Sequence, residues 1–294
     1  MENVKNESVY ERICRTRKNG RPTTIDYVNA LIDGFIEFHG DRYFADDHAI
    51  IGGIGYLSGK PVTVIGIEKG RNLQERLDRK FGSPLPEGYR KALRLLKQAE
   101  KFNRPAILFV DTQGANCGKE AEERGIGEAI ARNLYEMSAL KTPMISIVIG
   151  EGGSGGALAL AVADRVWMLE NAYYSVITPE SCASILFKDP QRADEAAEHL
   201  RLTAHDLYSF GVVEKIIEEP DDFTEEEERV LFMQKLKRDL EKELHKLRKL
   251  SKKDLLAARY EKYRKIGRYE QYSSQLPKEK EKRLFKLLRT RHGV

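Results

Sequence analysis

The chain has 294 residues, 33% charged and 41% hydrophobic, with a formal net charge of +4. It is too long for a small single-core module and short for two full domains. Its longest apolar run, Met144 to Ile149, falls far short of the roughly 20 residues that cross a bilayer. The first six residues show no apolar stretch of a secretory signal. Cys14, Cys117 and Cys182 form neither a disulfide framework nor a C-x-x-C knuckle, so a reducing, cytoplasmic setting is expected. The net charge hides an asymmetry. Residues 223–294 hold 22 Lys/Arg against 12 Asp/Glu, or +10, and residues 1–222 hold 28 against 34, or −6. An acidic body with a basic tail bears on partners before it bears on chemistry.

In chain order, residues 1–20 read as a short polar arm or helix. Thr24 can cap a helix predicted from Ile25 to about His39, whose Tyr27, Val28, Leu31, Ile32, Phe35 and Phe38 recur at 3–4 spacing. Ala49–Leu57 and Pro61–Ile67, joined by Ser58-Gly59-Lys60, read as a hairpin. A charged loop over 68–86 leads to a helix from Pro86 to Phe102. Ala106–Asp111 is a buried-type strand, followed by a glycine-rich loop to Glu120 and a helix over 122–140. Met144–Ile149 is a second such strand, Gly150–Gly156 a second glycine-rich loop, and Ala157–Ala163 a short helix. Short strands are predicted at Val166–Leu169 and Tyr173–Ile177, and Pro179 opens a helix. Beyond Pro220, leucines at 3–5 spacing from Leu231 to Leu250 predict a long amphipathic helix. Basic helices follow over 251–264 and 278–291. Strand, glycine loop and helix in alternation imply an α/β domain with a largely parallel sheet, its ligands at the carboxyl ends of the strands.

The densest signal is Gly150-Glu151-Gly152-Gly153-Ser154-Gly155-Gly156. Glycine admits close backbone approach, and such loops between strand and helix commonly hold ligands. Three chemistries fit the letters. Gly150-x-Gly152-x-x-Gly155 matches a dinucleotide fingerprint, with Glu170 placed as a ribose-binding acid. Gly152-x-Ser154-x-Gly156 matches a nucleophile elbow, with His199 and His205 downstream. Gly155-Gly156 can present amides at a helix N-terminus as an oxyanion hole. Elsewhere, Gly114 to Lys119 is one residue short of a P-loop, and Glu120 stands where Ser/Thr belongs. Cys117 has no histidine close in sequence and reads as a passive loop cysteine. The scattered histidines make no metal-ligand pattern.

A series of segments then resembles the carboxyltransferase alpha subunit of bacterial multisubunit acetyl-CoA carboxylase. In order they are Arg21-Pro22-Thr23 with Asp26-Tyr27, His39-Gly40-Asp41-Arg42 with Ala45-Asp46-Asp47, Ile51 to Ile54, Lys69-Gly70-Arg71, and Pro86 to Leu95. Ala121 to Gly125 with Glu128 to Leu134, Ile149 to Ala157, and Pro179-Glu180 with Cys182 to Leu186 complete it. The resemblance implies a crotonase-like α/β fold, a ββα superhelix with a helical C-terminal extension. The arm would be 1–20, the carboxyltransferase domain 21–222, and the basic helical extension 223–294. It implies transfer of a carboxyl group from carboxybiotin, on a biotin carboxyl carrier protein, to acetyl-CoA, giving malonyl-CoA. Gly155 and Gly156 would form the hole for the biotin ureido oxygen, with the biotin anion as the base for the acetyl group. Gly152 and Gly153 would line the site, and Gly114 and Ala115 would flank it. Lys69, Gly70 and Arg71 are candidates for phosphate or biotin-loop contact. A separate zinc-ribbon beta subunit, in an alpha2beta2 assembly, would carry the second hole, so this chain would be half an active site without metal.

The first loop departs from the family's usual Asp-Thr-Pro-Gly-Ala-Tyr-Pro-Gly. It reads Asp111-Thr112-Gln113-Gly114-Ala115-Asn116-Cys117-Gly118, so a less rigid loop is expected. Ser181 and Phe187 replace a usual glycine and tryptophan. These changes admit a second reading, a carboxyltransferase or decarboxylase subunit for another acyl-CoA. A hydrolase using Ser154 is a third. The tail reads as a solvated helical extension packing on the body or on the beta subunit. Its interleaved Tyr260, Tyr263, Tyr269 and Tyr272 also suit contact with an acidic partner such as the CoA phosphates, the beta subunit or RNA.

Overall fold

A computed structural model describes residues 8–267. Helix α1 (Val9–Thr16) opens with a reciprocal capping box between Ser8 and Glu11. Helix α2 (Thr24–Leu31) stops eight residues before the expected His39. Ile32 is already extended, and residues Asp33–Glu37 form strand β1 against the edge of β2 (Ile50–Leu57). Phe35 and Phe38 reach the core from this strand and its exit rather than from a helix. Their spacing suits either geometry, and the edge pairing decides. The predicted hairpin is present, β2 pairing antiparallel with β3 (Lys60–Ile67).

After α3 (Leu73–Asp78), helix α4 (Pro86–Lys101) starts with proline at its first turn, where the missing N–H costs nothing. Strand β4 (Ala106–Thr112) is buried throughout. The helix expected over 122–140 is two helices, α5 (Lys119–Glu123) and α6 (Ile126–Ala139). Gly125 separates them in the left-handed conformation, at φ 81°. Strand β5 runs from Met144 to Gly153, so four residues of the presumed loop are strand. Helix α7 accordingly begins early and ends early, Ser154–Leu158. Then come β6 (Arg165–Leu169), β7 (Tyr173–Ser175), α8 (Pro179–Leu186), α9 (Ala193–Leu200), α10 (Ala204–Ser209) and β8 (Lys215–Ile217).

The sheet order is β1-β2-β3-β4-β5-β6-β8, with β7 pairing the far end of β5. From β3 onward the neighbours are parallel, in register Ile107 with Ile145 and Val110 with Val148. Strand order follows chain order, as in a superhelix. Among the described strands there is no reversal of the kind that creates the switch-point crevice of a dinucleotide fold.

The tail's first two helices are α11 (Glu226–Arg248) and α12 (Lys252–Lys265). Phe232, Met233, Leu236, Leu240, Leu244 and Leu247 of α11 are buried in the same core as β3 to β6. Arg259 of α12 is 2% exposed. Its Nε and Nη2 donate to the two carboxylate oxygens of Asp164 at 2.9 Å each. The remaining N–H groups reach the carbonyls of Met137 and Leu140 at 2.7 Å and Thr142 at 3.1 Å. All five donors of the guanidinium are used. The helix expected at 278–291 lies outside the described residues.

Candidate active site at the carboxyl ends of β4 and β5

The two glycine-rich stretches meet because side chains are missing at their contact. A methyl at Gly153 would overlap the carbonyl of Gln113, and one at Gly156 would overlap the amide nitrogen of Ala115. The end of β5 and the first turn of α7 are thereby pressed against the loop that leaves β4. Gly155, one residue away, is different: the nearest atom to a methyl there is Ile130 Cγ2 at 3.6 Å. Gly152 packs on Tyr173.

Ser154 enters α7 with φ 57°, so the chain turns sharply from strand into helix. The first N–H groups of a helix have no intrahelical acceptor, and no side chain caps α7. The amides of Gly155 and Gly156 lie in this turn. Tyr89 of α4, fully buried, donates its hydroxyl to the Gly156 carbonyl at 3.1 Å. Asn133 of α6 donates to the Ala159 carbonyl at 3.3 Å. In place of two prolines, the first loop is held by local hydrogen bonds. The Thr112 hydroxyl donates to the Gly114 carbonyl at 2.8 Å and accepts from the Gly114 amide at 3.0 Å. Asn116 donates its amide to the Pro84 carbonyl at 3.0 Å, and its side chain accepts from Gly118 at 2.9 Å.

Beneath these loops lies a layer of paired charges. Lys69 Nζ sits 2.8 Å from Asp111, which also accepts from the Glu151 amide at 2.9 Å. Glu151, 3% exposed, is paired to Arg17 at 2.9 Å and accepts from the Tyr173 hydroxyl at 2.9 Å. Burial, with Glu151 adding to it, pushes the Tyr173 hydroxyl well up, so it stays protonated. Arg17 also reaches Glu180 at 2.5 Å, tying the N-terminal segment to α8. Gly70, at φ 83°, donates to Glu68, whose carboxyl burial pushes up. Arg71 turns outward to Asp26 at 3.4 Å and Glu75 at 3.8 Å. Lys69 thus joins the site through Asp111, while Arg71 is the half-exposed cation of the three.

The structure therefore brings Gly153, Gly156, Gly114 and Ala115 together and sets Gly155 at the mouth. Tyr89, Glu151, Arg17 and Tyr173 were not read from the sequence. The one available signal was an acid inside an otherwise apolar strand. Beside α7 opens a largely apolar cleft of about 350 Å3, lined by Ser154, Gly155, Leu158, Tyr174, Val176 and Leu207 among others.

Other readings find less support. Among the described residues no histidine is hydrogen-bonded to Ser154. His199 and His205 are exposed, and His205 lies 3.9 Å from Glu170 instead. Among the described residues there is no group of three or more His, Cys, Asp or Glu that could hold a metal, and no helix is long and apolar enough to cross a membrane. Cys117 is free and exposed. Tyr263 is packed inward, donating its hydroxyl to the Ala161 carbonyl at 2.9 Å, and Tyr260 is exposed. Tyr269 and Tyr272 lie outside the described residues.

The fold is shared by solved transcarboxylase and carboxylase chains. The chain is similar to the beta subunit of geranyl-CoA carboxylase from P. aeruginosa, with a TM-score of 0.60, 17% identity, and coverage of 87% of this chain and 46% of that one. The family described as acetyl co-enzyme A carboxylase carboxyltransferase-like matches residues 2–267, and the chain belongs to it. It is 54% identical to the acetyl-coenzyme A carboxylase carboxyl transferase subunit alpha of Clostridium acetobutylicum, over 92% of this chain and 98% of that one. It is 58% identical to the subunits beta/alpha protein of Natranaerobius thermophilus, over 88% of this chain. The chain spans 43% of that longer relative.

Proposed function

We propose that this chain is the alpha, biotin-side subunit of an acetyl-CoA carboxylase carboxyltransferase. The observation that carries the reading is the contact of Gly156 with Ala115, which sets the uncapped first turn of α7 against the first loop and beside an apolar cleft. Carboxybiotin, on a separate biotin carrier protein, supplies an activated carboxyl group for transfer to acetyl-CoA. The amides of Gly155 and Gly156 would hold the ureido oxygen, placing two donors where negative charge on it would be favoured. Dipoles already fixed by the fold do this without reorganisation. Gly153 keeps the strand end flat against the first loop, Gly152 lets it lie close to Tyr173, and Gly114 and Ala115 form the facing wall. Lys69 steadies the base of that wall through Asp111, Gly70 makes the turn, and Arg71 is the cation available to a phosphate. The thioester is polarised by a zinc-ribbon beta subunit. The fused beta/alpha relative supports such a partner, joined in one chain there.

The test is reconstitution. The purified chain, a beta subunit and a carboxybiotin-loaded carrier should form malonyl-CoA from acetyl-CoA only when all are present. No transfer by the complete mixture overturns the reading.

A further inference from the structure

Helix α7 has five residues, far too few to hold its own shape, and two of them are the glycines whose amides the proposed chemistry uses. Its orientation must come from outside. Packing supplies one restraint, Gly156 against the Ala115 amide. The other is polar: the Tyr89 hydroxyl donates to the Gly156 carbonyl at 3.1 Å. That bond fixes the Gly156–Ala157 peptide, and with it the rotation of the first turn. The donor stands on firm ground, since α4 is a 16-residue helix. The residues after Tyr89 are anchored too, Arg90 to Asp41 at 2.8 Å and Lys91 to Asp46 at 2.6 Å. Burial pushes the Tyr89 hydroxyl up, and Asp47 adds to the rise, so the donor keeps its proton.

We infer that Tyr89 is a positioning residue that aims the α7 amides, holding Gly155 and Gly156 in the orientation that receives the ureido oxygen. The inference rests on the reading of those amides as the hole. Tyr89 does not touch the reacting atoms, and it acts through the Gly156 peptide.

Replacing Tyr89→Phe removes one oxygen and keeps the ring. In the full chain, hydrogen exchange of the amides of residues 154–158 should accelerate at least tenfold, and the 15N signals of Gly155 and Gly156 should shift. Added free biotin should perturb those signals less than in the parent chain. In the complex with a beta subunit, kcat for carboxyl transfer should fall about 5- to 30-fold while KM for the acyl-CoA stays within twofold. At position 89, 4-aminophenylalanine keeps a donor and should restore kcat to within about threefold. 4-Methylphenylalanine keeps the bulk alone and should reproduce the loss, which covers the case where Phe leaves a cavity that prevents folding. Unchanged exchange and kcat in Tyr89→Phe overturn the inference, as does a loss that follows only the folded fraction or one that the amino variant does not rescue. If the parent complex transfers nothing, the hole reading fails, while exchange in the chain alone still decides whether Tyr89 holds α7.

Discussion

Replacing Arg259→Met tests how the basic tail is fixed to the body. The substitution keeps length and apolar contact and deletes five donors. It leaves Asp164, 3% exposed, with one hydrogen bond to its carboxylate, from the Met144 amide at 2.8 Å. It also strips donors from three carbonyls around the end of α6. Removing one partner of a buried pair costs about 3–5 kcal/mol, because the other charge stays buried and uncompensated. At about 2–4 °C per kcal/mol for a chain of this size, a loss near 4 kcal/mol lowers the melting temperature by roughly 8–16 °C. Adding Asp164→Asn removes the orphaned charge and keeps the acceptor for Met144. The double variant should therefore recover more than about 1 kcal/mol relative to the sum of the single changes, as expected for residues in direct contact. Arg259→Lys should recover little, since an ammonium cannot span the fork and three carbonyls. Thermal melts of the parent, the three single variants and the double variant at neutral pH give all three numbers. A drop below about 3 °C for Arg259→Met, or strict additivity in the double variant, would refute the latch.

The two hole glycines should behave unequally. Gly156→Ala forces a methyl onto the Ala115 backbone, a strain of about 1–3 kcal/mol that should also reduce carboxyl transfer at least tenfold. Gly155→Ala, with 3.6 Å to its nearest neighbour, should change stability by under about 0.5 kcal/mol; melts and transfer assays on both variants check this. For pH, burial pushes the Asp46 carboxyl up, but hydrogen bonds from Lys91 and the Gly40 amide prevail and hold it below its ordinary range. A carboxyl lowered on folding stabilises above its unfolded value near 4 and loses that contribution as pH falls. The destabilisation from Asp46→Asn, read as a urea midpoint, should be full at pH 7 and shrink on acidification below about pH 4; a deficit that grows there would contradict the assignment.

The strands were legible where both faces are buried, since β3 to β6 read as continuous apolar runs. The end of α2 was not, because Phe35 and Phe38 satisfy helical spacing while their backbone pairs as an edge strand. The start of α7 was hidden for a related reason. Gly150, Gly152 and Gly153 look like loop, yet they are extended strand, with the Asp111 side chain and the backbones of Tyr173 and Gln113 in the space their side chains would take. Within the site, the sequence contained the glycine pair and the facing Gly114-Ala115, but not the contact between them. Tyr89 and Arg17 act on partners 67 and 134 residues away, and no local pattern carries that pairing. Arg259 was one basic residue among many on a helix that looked solvated.

These hidden residues also explain why the charge asymmetry does not weaken the body. An unpaired charge about 8 Å from a developing oxyanion is worth roughly 2 kcal/mol at an effective dielectric of 20. That is enough to offset much of what one aligned amide contributes, so a bare Glu151 in the strand that leads into α7 would oppose the chemistry proposed for its end. The cation paired with it, Arg17, which also holds Glu180, comes from the N-terminal arm. Asp164, just after α7, is neutralised by Arg259 of the tail, and Glu214 is paired with Lys262 at 2.8 Å. The acidic body is thus completed by cations reaching in from both flanks. What lines the cleft is then mostly apolar side chains with no charged group among them, the environment in which two amides can outweigh any side chain.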